Sequence, residues 1–163
     1  MGRSGSQMLS RRALFSGKHG ALIRPPWTSE ISIRNACTGC GDCVVACPEA
    51  ILFSGPANTP VVSFENGECT FCKACVEACT EPVFDLGEPA WTIRAEISDS
   101  CILKLGISCR LCTDICETEA LVFDLSQRPV GAVSVNQELC NGCGACVAAC
   151  TFSAISITEP QHD

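Results

Sequence analysis

The sequence predicts an α+β fold of two small tandem domains behind an irregular N-terminal leader, and three observations carry that prediction. All sixteen cysteines fall into four runs of four. The second cysteines of those runs recur at intervals of 32, 37 and 34 residues, with similar flanks each time. The charge also changes sign along the chain, basic up to residue 34 and acidic beyond it.

The runs are Cys37, Cys40, Cys43, Cys47; Cys69, Cys72, Cys75, Cys79; Cys101, Cys109, Cys112, Cys116; and Cys140, Cys143, Cys146, Cys150. Three of them have the spacing Cys-x2-Cys-x2-Cys-x3-Cys, the thiolate pattern of bacterial two-cluster [4Fe-4S] ferredoxins. Cysteines three residues apart on a curled loop turn three thiolates toward one cube, and the fourth, one residue further on, faces the partner run's cube. That rule crosses the runs two by two. It predicts the sets Cys37, Cys40, Cys43, Cys79 and Cys69, Cys72, Cys75, Cys47 in the first domain. In the second it predicts Cys101, Cys109, Cys112, Cys150 and Cys140, Cys143, Cys146, Cys116. The expectation is two tandem bacterial-type dicluster [4Fe-4S] ferredoxin domains with four clusters. The third run departs from the pattern, with seven residues between Cys101 and Cys109 where the others have two. Cys101 is therefore the least secured ligand, and without it the count stands at three.

Zinc and disulfides are the competing uses of so many cysteines. Structural zinc sites join two separated cysteine pairs or mix in histidine. Here the cysteines crowd into short runs, and the two histidines, His19 and His162, lie in the tails. Closely spaced triples also make poor disulfide staples.

Each run sits inside a repeated unit of strand, ligand loop, short helix and strand. The leading segments are Ile31 to Ile33, Val61 to Phe64, Trp91 to Ile97 and Val133 to Val135, and the trailing ones are Ile51 to Phe53, Val83 to Leu86, Leu121 to Leu125 and Ile155 to Ile157. Small residues fill the loops, among them Gly41, Ala46, Ala74, Gly142 and Gly144, and let backbone approach a cluster closely. Turn formers separate the units at Ser54 to Pro60, Gly87 to Pro89 and Ser126 to Gly131. These breaks give a leader at 1–29, a first domain at 30–88 and a second at 89–160. Trp91 opens the second domain as a packing residue.

Domains of this size bury little apolar surface, so clusters are expected to be structural and folding to be coupled to their assembly. Residues 1–34 hold six basic residues against Glu30 alone, while the rest holds five basic against seventeen acidic, a balance of −12 in an overall −7. Thiolate-bound clusters add further negative charge. Nucleic acid is disfavoured as a partner of such a body and basic redox proteins are favoured. No apolar run has the length of a membrane span, so a soluble protein is expected.

The leader reads Ser10-Arg11-Arg12-Ala13-Leu14-Phe15-Ser16, the opening of a twin-arginine export signal. The apolar stretch that should follow stops after three residues, short of the 7–15 such a signal needs. A cytoplasmic protein is expected.

Together, Ser10-Arg11-Arg12 with Gly17, Ile23-Arg24-Pro25-Pro26-Trp27, the stretched third run, and Leu139-Cys140-Asn141-Gly142-Cys143-Gly144-Ala145-Cys146 resemble the NapF family, ferredoxin-type accessory proteins of periplasmic nitrate reductase systems. The resemblance covers nearly the whole chain. It implies an iron-sulfur protein that binds the precursor of the molybdenum-containing catalytic subunit and assists its maturation before export, with electron-transfer capability. Partner binding by Arg11, Arg12, Arg24, Pro25, Pro26 and Trp27 is our hypothesis for the leader. The alternative is a general electron carrier or an electron-transfer subunit serving other redox proteins. An enzyme is not expected, because no nucleotide-binding Gly-rich motif and no spare cysteine nucleophile is present.

Overall fold

The computed structural model describes residues 22–159. Arg11 and Arg12 lie outside the described residues.

Four short helices follow the four ligand loops as the repeat predicts: α2 (Asp42–Ala46), α3 (Ala74–Glu77), α4 (Leu111–Asp114) and α5 (Ala145–Ala149). The first, α1 (Glu30–Ala36), is discussed below. Among the described residues, six strands make three separate antiparallel pairs. In the first half, β1 (Leu52–Ser54) pairs with β2 (Pro60–Val62), placing Leu52 opposite Val62. In the second half, β4 (Leu121–Asp124) pairs with β5 (Ala132–Val135), Leu121 opposite Val135. There β3 (Arg94–Ile97) also pairs with β6 (Ile155–Thr158), so the half's first and last strands close on each other. Helix α2 packs on α3 and α4 on α5, bringing together the two runs of each half.

Two expected strands are absent, and they are the pair that would have closed the first half. Ile31 to Ile33 lie in α1, not in an extended segment. The reason is local. Ser29 caps the helix with a reciprocal box, its Oγ accepting from the Ser32 N–H while the Ser32 Oγ accepts from the Ser29 N–H, both at 3.0 Å. Glu30 in the first turn and Arg34 in the last complement the helix dipole. Ile33 is buried at 3% exposure and Ile31 faces out at 69%, the signature of one helical face. Val83 to Leu86 then has no strand to pair with and forms a turn, with Val83 buried.

The segment that precedes α1 supplies the missing wall. The Ile23 carbonyl accepts from the Val62 N–H, the Trp27 carbonyl accepts from the Asp85 N–H, and the Trp27 N–H donates to the Ala90 carbonyl, each at 2.8 Å. Pro25 is wholly buried. Trp91 donates its indole N–H to the Arg24 carbonyl at 2.9 Å. Its ring meets Phe64 and Phe71 edge-on, and Phe71 meets Trp27 in the same manner. Trp91 is thus a packing residue, as the sequence suggested.

One apolar cluster runs through both halves. It includes Leu52, Val62, Phe64, Ile93, Leu121, Ile155 and Ile157 together with Cys43, Cys75 and Cys146. The core of the protein is wrapped around its cysteines.

Candidate metal centres

In each run the first two cysteines precede one of these four helices and the third lies within it. Gly41 and Gly144 precede α2 and α5 in the left-handed conformation, with φ of 83° and 86°. Lys73 holds the same conformation before α3, at φ 65°, where a non-glycine residue is strained. Arg110, before α4, does not adopt it. The stretched run therefore enters its helix by a different route.

The structure gathers the cysteines into four cavities, each lined by three members of one run and the fourth member of the neighbouring run. One cavity has Cys37, Cys40, Cys43 and Cys79, with Val44, Val83 and Phe84 beside them. A second has Cys69, Cys72, Cys75 and Cys47 under Trp27, Ile51 and Phe71. A third has Cys101, Cys109, Cys112 and Cys150, walled by Ile97, Ile102, Leu103 and Phe152. The last has Cys140, Cys143, Cys146 and Cys116, with Ala95, Leu121 and Ile157. Cys101 stands with its set despite the insertion. The extra residues include a 3-10 turn, Ile102–Leu105, whose first two side chains are buried and whose Leu105 is exposed, as is Ile107 beyond it. The Gly106 N–H closes the turn, with φ 76° at that residue.

No three Cys, His, Asp or Glu side chains among the described residues converge so as to hold a single metal ion. All sixteen cysteines are free of disulfides.

Burial pushes the thiols of Cys43, Cys69, Cys75 and Cys112 up to about 11, and neighbouring cysteines of the same cavity add to the rise. Burial raises Cys146 to about 12. Cys143 is also raised, by burial and then by the nearby Glu68 carboxylate. Cys116 goes the other way: burial acts to raise it, but hydrogen bonds from Thr118, Leu121 and Ala120 together outweigh that and lower it. Most of these thiols are protonated near neutrality, so taking up metal requires releasing protons.

Backbone amides already face several sulfurs. The Phe71 N–H donates to Cys69 Sγ at 3.4 Å, the Ala95 N–H to Cys140 Sγ at 3.5 Å, and the Ala154 N–H to Cys150 Sγ at 3.3 Å. Such bonds are among the levers that set cluster potential. Sequence reasoning did not single out Phe71, Thr118 or Glu68. The position of Phe71 inside a ligand loop was the one available signal.

The residues hypothesised to bind a partner are placed less freely than expected. Arg24 bonds to Glu30, to Thr59 Oγ1 and to the Pro60 carbonyl, Pro25 and Pro26 are buried, and Trp27 packs on Phe71 with Lys73 over its ring. These four serve the fold.

Among known families, the 4Fe-4S dicluster domain matches residues 36–83 and 107–154. The second match begins after Cys101. Among curated proteins the chain is 43% identical to the ferredoxin-type protein NapF of Haemophilus influenzae, across 95% of this chain and 97% of that one. It is 40% identical to the ferredoxin-type protein NapF of Escherichia coli K12, across 90% and 93%. A more distant relative is the methylamine utilization ferredoxin-type protein MauM of Methylobacillus flagellatus, 28% identical across 83% and 67%.

Proposed function

The chain belongs to the NapF family of ferredoxin-type proteins, with two 4Fe-4S dicluster domains, and on that premise we propose that it assists the cytoplasmic maturation of the periplasmic nitrate reductase catalytic subunit before export. It acts as a binding protein with electron-transfer capability and not as an enzyme. The observation that carries the iron-sulfur part is the grouping of the cysteines into four cavities with the crossed composition. We assign those sixteen cysteines as cluster ligands, four per cluster, Cys101 included. The domain division we propose is 30–88 and 89–160.

Clusters held this way supply reversible one-electron exchange. The chain's own part is to bury the thiolates among apolar side chains, aim amides at the sulfurs, and leave an edge open. Cys40 and Cys72 are the exposed members of their sets, and they mark where a redox partner gains access to the first half. No helix among the described residues is long and apolar enough to cross a membrane.

The leader supports the maturation reading. Its basic residues oppose the acidic body, and with Arg24 to Trp27 engaged in the fold, partner binding falls to Arg11 and Arg12. The exposed Cys40 and Cys72 favour a second reading, a general electron carrier. Affinity capture from anaerobic extract separates the two. Recovery of a molybdenum reductase precursor is expected for a maturation factor. Recovery of mature reductases and dehydrogenases without the precursor would establish the carrier.

A further inference from the structure

We infer that Cys69 and Cys143 form the contact that joins the two halves' metal centres, which puts the four sites in the linear order first, second, fourth, third. This rests on the ligand assignment above and adds to it which sites are neighbours across the domain boundary.

The contact is a hydrogen bond from the Cys69 N–H to the Cys143 carbonyl, 2.8 Å long. Among the described residues it is the backbone hydrogen bond that links a cysteine of one half to a cysteine of the other. Cys69 belongs to the second cavity and Cys143 to the fourth.

The residues on either side of Cys143 explain how the halves come so close. A Cβ on Gly144 would lie 2.1 Å from Phe64 Cδ1, so the first half's Phe64 ring rests directly on the fourth run's backbone. A Cβ on Gly142 would lie 2.8 Å from both the Ile93 side chain and its carbonyl. Both positions also have positive φ, 76° and 86°, which an ordinary side chain adopts only under strain. Phe64 is fixed in turn: it is buried at 4% exposure and its ring lies 5.8 Å from that of Trp91. Two glycines thus bracket a ligand, Gly144 beneath the first half's Phe64 ring and Gly142 against Ile93 of its own half.

Within a half the two sites are joined covalently, because Cys47 and Cys79 leave their own runs to complete each other's sets, and Cys116 and Cys150 do the same. Between the halves the Cys69–Cys143 bond takes that place. The first and third sets sit at the two ends.

The test uses the full chain carrying Cys37→Ser, Cys40→Ser, Cys101→Ser and Cys109→Ser, which leaves the first and third sites two of their four cysteines and the second and fourth sites all of theirs. Iron and sulfide are counted, the protein is reduced with dithionite, and its electron paramagnetic resonance is recorded. Expected is a signal split and broadened by interaction between the two remaining clusters. Two full clusters giving independent, narrow signals would overturn the inference while leaving the ligand assignment standing. Loss of iron from the second or fourth site as well would mean that each half retains its clusters only together, and the unaltered protein then decides the inference. The unaltered, loaded protein provides a second measurement that needs no variant. Hydrogen exchange over Phe64 to Phe71 should show the Cys69 amide protected, and exchange at the rate of an open loop would refute the contact.

Discussion

In the C-terminal half the outer wall is a ladder, β3 against β6, and Ala95, Ile155 and Ile157 are buried beneath it. In the N-terminal half the corresponding segments are a helix and a turn, and the wall is built from Ile23 to Trp27. The ligand runs differ in the opposite sense. Both N-terminal runs have unbroken spacing, while the C-terminal half carries the stretched one. Each half is irregular in a different layer, yet both bring three cysteines of one run to the fourth of the other. The comparison teaches that the crossed cysteine sets are the invariant part of this architecture. The wall can be any apolar segment whose backbone groups find partners, since an unpaired buried N–H or C=O is what the fold cannot tolerate.

The largest effect expected from this comparison comes from removing the N-terminal wall. Deleting residues 1–27 takes away the partners of the Val62 and Asp85 amides and uncovers the second cavity, which Pro26 and Trp27 line. We predict loss of about half the bound iron, from the first and second sites, because cluster retention and folding are coupled. Deleting residues 1–21 leaves all of those contacts in place and should leave iron content unchanged. Iron and sulfide analysis of the two truncations decides it. Equal, full loading in both would mean that the segment is not a wall. The same pair separates partner binding from folding: a capture experiment with the 1–21 deletion tests Arg11 and Arg12 without disturbing the first half.

A smaller effect is expected where the C-terminal half is irregular. Cys101→Ser removes the one ligand that reaches its cavity through the 3-10 turn. Loss of about one to four irons per chain is predicted, depending on whether the third cluster drops one iron or is lost whole. Cys140→Ser, at the equivalent place in the unstretched fourth run, provides the reference. Unchanged iron in the Cys101 variant alone would show that the third site is completed without it, and would set a real functional difference between the halves.

Much of this was legible in the sequence because cysteine spacing is a geometric statement. The crossing follows from a fourth cysteine one residue out of step, and the cavities group accordingly. The strands β2, β5 and β6 were legible from Val61-Val62, Val133-Ser134-Val135 and Ile155-Ser156-Ile157, which fit a half-buried pleat. Ile31-Ser32-Ile33 has the same alternation and is helical. Its signal was the Ser29-x-x-Ser32 box, a local capping preference that outweighs two β-branched residues when no partner strand is at hand. Val83 to Leu86 was misread for a tertiary reason, since a strand without a partner is not a strand. Nor could any local pattern show that Arg24 would turn inward to Thr59 and Pro60, or that Cys69 would meet Cys143. Those contacts join residues 35 or more positions apart.

The smallest effect concerns how the N-terminal wall is pinned. Arg24 holds Glu30 in a two-pronged ion pair, Nε to Oε1 at 2.6 Å and Nη2 to Oε2 at 3.2 Å, while its Nη1 bonds Thr59 Oγ1 at 2.9 Å and the Pro60 carbonyl at 3.1 Å. The hydrogen bond from Arg24 holds the Glu30 carboxyl below its ordinary value of 4.5, with weak burial opposing and the charges of Arg24 and Arg34 assisting. A carboxylate whose pKa falls on folding adds stability above pH 4.5, and that stability is lost as pH drops through the lowered value. Glu30 is 55% exposed, however, so solvent screens the pair and its worth is under about 1 kcal/mol. Arg24 is 14% exposed, and truncating it also strands the acceptors Thr59 and Pro60. Arg24→Ala should therefore cost about 1.5–3 kcal/mol, and Glu30→Gln under about 1 kcal/mol, shrinking further in high salt. Denaturation midpoints of both variants at pH 7, in low and high salt, provide the comparison. Equal, salt-sensitive losses would mean that the wall is held by the surface ion pair and not by its bonds to the β2 edge.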